Sequence, residues 1–194
     1  MRTAAFAALA AVVLFPGEAR AHLVTTGLGP VYDGISHFAL TPQDVLPVLA
    51  LALLAGLSGP RHGRVVLFVL PVAWLSGGFL GLSRATELLM PALTAATLLA
   101  LGALVVLDRK LPLGLVAGLA VALGLFHGYL NGTAKIGALG LSGVAAMLFV
   151  VVSLIAAFVV SLRAPWSRIA VRVAGSWLVA ISMLMLGWTF RAGG

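Results

Sequence analysis

The strongest constraint on this chain is a series of apolar runs, each close to the ~20 residues that a helix needs to cross the hydrocarbon core of a membrane. From Thr41 onward there are six, at about 42–58, 65–83, 87–107, 111–131, 138–162 and 169–190, separated by short links. Only 9% of the 194 residues are charged and 62% are hydrophobic. A soluble domain of this length needs a polar surface that such a composition cannot supply. Spans joined by short links must be helical, because lipid offers no partner to backbone N–H and C=O groups. The expected fold is therefore an all-α integral membrane protein, a six-transmembrane-helix bundle. No linker or composition shift divides the runs, so residues 22–194 read as one membrane domain.

Residues 1–21 have a different character. Arg2 supplies a positive start, Ala4 to Phe15 is an apolar run short of a full span, Pro16 breaks it, and Ala19-Arg20-Ala21 is a small-x-small site. These are the three regions of a secretory signal peptide, with an uncleaved first helix as the alternative. Cleavage would make His22 the amino terminus, where a free amine and an imidazole on one residue can chelate a metal. Residues 22–41 would then form a periplasmic N-terminal segment.

The formal net charge is +7. The basic residues lie in the short links, which points to membrane topology and away from nucleic acid. Arg61 and Arg64, Arg109 and Lys110, and Arg163 and Arg168 with Arg172 fall at the first, third and fifth connections. The alternate connections hold Arg84 and Lys135, and the C-terminal tail Arg191. The asymmetry assigns the odd connections to the cytoplasm and both mature termini to the outside. The expected location is the bacterial inner membrane, with lipid as the surrounding partner.

Polar side chains at membrane depth are costly and point to function. His127 and Asn131 are four apart on the fourth run and share a helix face. Asp33 and His37 have the same spacing in VYDGISHF, a stretch that reads as a turn, a surface loop or a short helix on the membrane. Asp44 follows Thr41-Pro42-Gln43, a good helix start, so capping alone could explain it. His62 reads as a solvated loop residue. The chain has no cysteine, which leaves imidazole, carboxylate and amide groups as candidate ligands. Gly77, Gly78 and Gly81, Gly114 and Gly118, and Gly124, Gly128 and Gly132 mark helix faces suited to close packing. Ser76, Thr94, Thr97, Ser153 and Ser182 are the main hydroxyls available to line a route through the bundle. There is no Walker motif, nucleophile elbow or HExxH helix, and no enzymatic activity is expected.

Two short stretches carry a resemblance. His37-Phe38-Ala39-Leu40-Thr41-Pro42-Gln43-Asp44 aligns with a motif HPxxGxDH, keeping the first His, with Gln43 at the Asp and Asp44 at the second His. Phe126-His127-Gly128-Tyr129-Leu130-Asn131-Gly132-Thr133-Ala134 aligns with FHGxxHGxE, keeping the first His and both glycines, with Asn131 at the second His and Ala134 at the Glu. In these motifs, the leader and the six spans, the chain resembles a divergent branch of the HupE/UreJ family of hydrogenase and urease accessory membrane proteins. The resemblance implies uptake or delivery of a divalent metal ion, nickel or cobalt, with metalloenzyme maturation proteins as partners. It also implies an outer-face site of His37, Asp44, His127 and Asn131, joined by Asp33 and His22, more oxygen-rich than the family pattern. The alternatives are a non-transporting scaffold or accessory subunit that recruits a periplasmic or membrane partner, and, last, an enzyme with a metal-activated water at the same cluster.

Overall fold

The computed structural model describes residues 26–84 and 90–192. His22 and the leader lie outside the described residues. The described chain is all-helical, with seven helices: α1 Pro30–Leu40, α2 Pro42–Ser58, α3 Pro60–Leu82, α4 Pro91–Leu107, α5 Leu113–Thr133, α6 Ala138–Ser161 and α7 Pro165–Ala192. The first four open on proline at the first helical turn. There the missing N–H costs nothing and the ring presets φ. Gly59 alone joins α2 to α3 and does so at φ 112°, a conformation open to glycine but not to a residue with a Cβ.

Each of the six expected apolar runs is a helix, α2 to α7. Four of them, α3, α5, α6 and α7, are long and apolar enough to cross a membrane. α4 is apolar but has 17 residues. α2 also has 17 residues, and passes as a span only together with α1, from which it is bent by 76°. So sharp a bend turns α1 well away from the direction of α2. The short-helix reading of residues 30–40 is the one realised, and it begins at the proline that follows Gly29.

The bundle is organised by small residues that let backbones touch. α3 and α5 form the most extensive pair. Along them Gly124 meets the Leu70 carbonyl, Gly128 that of Trp74 and Gly132 that of Gly78; reciprocally Gly77 meets Leu125 and Gly81 meets Tyr129. The partners rise together in steps of four, so α3 and α5 run parallel in a fixed register. A Cβ at Gly77, Gly81, Gly128 or Gly132 would fall on a backbone carbonyl of the other helix. Where lipid provides no hydrophobic drive between helices, such packing, with weak Cα–H···O contacts, supplies the association. The faces read from sequence are thus used, except that Gly114 and Gly118 meet nothing within 4 Å. α1 crosses α6 by the same device, Gly34 against Gly140 and Val31 against Gly143. α4 packs on α7, with Gly102 against Val179 and Gly175 against Val105.

α2 runs through the middle. Val48, Ala50, Leu51, Ala52, Leu54 and Ala55 are buried, against Leu98, Leu101, Val144, Leu148 and others. The links α2–α3, α4–α5 and α6–α7 gather at one end: Arg168 pairs with Asp108, and the ring Nε2 of His62 lies 3.1 Å from the Leu111 carbonyl. That contact ties His62 to the bundle, in place of the solvated loop residue expected. The opposite end holds α1, the start of α2 and the ends of α3 and α5.

Candidate functional site

At that opposite end, three of the residues singled out by sequence come together. Asp44 sits in the first turn of α2, and His127 and Asn131 lie one turn apart near the end of α5. His127 Nδ1 is 2.8 Å from Asp44 Oδ1, bridging 83 residues of sequence, and Asn131 Nδ2 donates to Asp44 Oδ2 at 2.8 Å. A carboxylate only accepts, so this contact fixes the ring hydrogen on Nδ1 and leaves Nε2 facing α4. There the Thr97 hydroxyl lies 3.1 Å from Nε2, and its one hydrogen is shared between Nε2 and the Thr94 carbonyl, 2.7 Å away. His127 is fully buried, and Asp44 and Asn131 nearly so. Burying such groups is costly unless each finds a partner. Here each oxygen of Asp44 and each nitrogen of His127 has one.

Asp44 therefore does more than cap α2. Thr41, the expected capping side chain, donates its hydroxyl back to the His37 carbonyl at 2.6 Å and makes no cap bond to α2. The carboxylate is spent on α5, so it ties the first turn of α2 to the packed α3–α5 pair.

Aromatic rings wall the cluster. Trp74 of α3 stacks on His127 with ring centroids 5.7 Å apart and planes at 29°. Phe38 meets Trp74 edge-on at 6.1 Å, and Phe126 meets His127 edge-on at 5.1 Å. Two polar atoms here are buried without a partner among the described residues: Nε1 of Trp74 and Oδ1 of Asn131. The second is a bare oxygen next to a buried carboxylate, a lone-pair donor available to a cation.

The other expected ligands are placed differently. His37, on α1, is half-buried and within electrostatic reach of Asp44, with no hydrogen bond to the cluster. Asp33 is occupied locally: the Thr26 amide and hydroxyl both donate to Oδ1, at 2.6 and 2.7 Å, and hold its carboxyl below the usual range. Among the described residues no three His, Cys, Asp or Glu side chains gather as a metal-ligand group. The core of the site is one carboxylate, one imidazole and one amide. Trp74 was missed in the sequence, and Thr97 was seen only as a route residue. The available signals were a tryptophan in mid-span, away from the interfaces where tryptophan gathers, and two threonines a helical turn apart in an otherwise apolar run.

The hydroxyls expected to line a route do not form one. Ser76, Thr94, Ser153 and Ser182 each donate to a carbonyl of their own helix, and Ser76 is exposed on the outer surface of the bundle. Below the cluster, Leu51, Leu54, Leu98, Leu101, Val116 and Ala120 are buried and wholly apolar.

The order Thr97–His127–Asp44 has the form of a hydroxyl–imidazole–carboxylate relay. The peptide N–H groups around Thr97 and His127 are committed to their helices, so no pair of amides stands ready for a developing oxyanion. The arrangement suits holding a positive charge better than acyl transfer. Replacing Thr97 by valine should cost about 1–2 kcal/mol, because buried Nε2 loses the one partner it has among the described residues. Thermal unfolding in detergent checks this, and an unchanged midpoint would mean that the Thr97–His127 contact contributes nothing.

A family model described as "HupE / UreJ protein" matches residues 10–186. No curated protein and no solved structure matches the chain. The match spans both short motifs, α1 to α6 and α7 as far as residue 186, including every residue of the buried cluster, and by it the chain belongs to the HupE/UreJ family.

Proposed function

We propose that this protein is a permease or metal-delivery accessory protein for a divalent transition metal, nickel or cobalt, in the bacterial inner membrane. The observation that carries the reading is the meeting of two short motifs, 83 residues apart, at one buried carboxylate–imidazole pair with a bare amide oxygen beside it. Family membership supports the cargo class. Asp44, His127 and Asn131 form the core of the cation site, and His37, within reach of the same carboxylate, is the additional imidazole. Oxygen and nitrogen donors of this mix suit borderline divalent ions. The cationic links face the cytoplasm, which sets the cluster near the outer face. Metalloenzyme maturation proteins are the partners that would receive the ion.

The test is a titration of the purified protein in detergent with nickel, cobalt, copper, zinc and manganese, repeated for His37→Ala and His127→Ala. The expected result is tight binding of nickel or cobalt by the wild type, lost in His127→Ala and weakened at least tenfold in His37→Ala. Folded wild-type protein that binds none of the five would overturn the reading.

The apolar core beneath the cluster favours a second reading, a non-transporting accessory subunit. Under it the same titration gives no binding, and replacing the exposed face of α1 releases a co-purifying partner.

A further inference from the structure

At the cationic end, α6 and α7 are joined only by residues 162–164, yet they make next to no contact with each other. A cavity of about 170 Å³ opens there, lined by α6, α7 and the α2–α3 link from Gly56 to Pro60. Its walls include Leu57, Val159 and Val171, and Arg168 stands beside them. Arg168 spends Nε–H and one Nη2–H on Asp108, at 3.1 and 2.6 Å. A guanidinium carries five N–H donors, so three are left, on a side chain held in place by its ion pair. Arg163 is exposed in the link between the two walls. Around them this end holds seven cationic residues against one acid, Asp108.

A cleft that carries the side chains of Leu57, Val159 and Val171 beside a polar edge, with a fixed cation there, is the complement of an amphiphile with an anionic head. A soluble anion would use the arginines and leave the walls empty. A zwitterionic lipid would fill the walls and gain little from the excess charge. We propose that this cleft is a binding site for an anionic phospholipid. The phosphate accepts from the remaining Arg168 donors beside the charge of Arg163, and one acyl chain lies against Leu57, Val159 and Val171.

The full-length protein in detergent, offered phosphatidylglycerol or phosphatidylcholine, provides the test by native mass spectrometry. The wild type is expected to retain one phosphatidylglycerol about tenfold more tightly than phosphatidylcholine, on the scale of a charge-assisted hydrogen bond. Arg168→Gln should remove that preference. Asp108→Asn, which also breaks the ion pair but leaves the cation, should keep it or strengthen it. Arg163→Gln, outside the ion pair, should weaken retention severalfold and serves if Arg168→Gln does not fold. Millimolar glycerol phosphate, a head without chains, should displace nothing. Equal retention of the two lipids, equal loss in Arg168→Gln and Asp108→Asn, or displacement by glycerol phosphate would each overturn the proposal.

Discussion

Adding one methyl group at Gly128 should cost the α3–α5 pair a large part of its stability. In Gly128→Ala the new Cβ falls on the Trp74 carbonyl, and the carbonyl carbon and Cα of Trp74 lie 2.8 and 2.9 Å from it. These are backbone atoms of α3, so no side chain can swing aside. The helices must part, and with them the reciprocal contacts at Gly77, Gly81, Gly124 and Gly132. Overpacking a core costs about 1–3 kcal/mol when side chains can adjust. Here the loss should reach or exceed the top of that range. The control lies on the same helix: Gly114→Ala and Gly118→Ala meet nothing within 4 Å and should be neutral or slightly stabilising, since alanine is the better helix former. Unfolding midpoints in detergent, read by size-exclusion chromatography, compare the three. A Gly128→Ala protein as stable as Gly118→Ala would mean that α3 and α5 do not approach as closely as this register requires. The variant should also disturb the site, because α3 carries Trp74 and α5 carries the His127 on which it stacks.

The contrast between Gly128 and Gly118 also marks how far the sequence could be read. Glycines four apart announce a packing face, but nothing in their spacing says which face meets a helix and which meets lipid. In a soluble helix the polar side answers that question. Here α4 and α6, and α5 up to His127, carry little beyond apolar residues and hydroxyls, so inside and outside look alike in sequence. The helices themselves were legible, because apolar run length, proline starts and charged links are local signals. The link between Asp44 and His127 was legible only through the short motifs, and the pairing of Asn131 with the same carboxylate through its one-turn spacing from His127. Trp74 and Thr97 were not, since their roles depend on how α3 and α4 are rotated about their axes. Asp33 shows the converse. Its spacing from His37 suggested a shared ligand face, but Thr26, seven residues upstream, captures its carboxylate. Such a short-range partner carries no periodic signature.

Asp44 should separate the structural role of the cluster from its proposed chemistry. In Asp44→Ala, His127 Nδ1 and Asn131 Nδ2 both lose their acceptor in a site that is almost wholly buried. A buried donor left without an acceptor costs about 1–3 kcal/mol, and here there are two, so this variant should be severely destabilised. Asp44→Asn is different. Its amide oxygen can still accept from His127, and its NH₂ would face Asn131. Turning the Asn131 amide over presents Oδ1, now without a partner, to that NH₂. The repaired network keeps a bond on each side, and stability should fall by no more than about 1 kcal/mol. The negative charge is gone, so a divalent cation should bind at least tenfold more weakly, whatever the state of the fold. Unfolding midpoints and a nickel and cobalt titration on the same two preparations decide the matter. If Asp44→Asn unfolds as readily as Asp44→Ala, the charge itself holds α2 to α5. If it folds well and binds metal as the wild type does, Asp44 is a tie between helices and the cation site lies elsewhere.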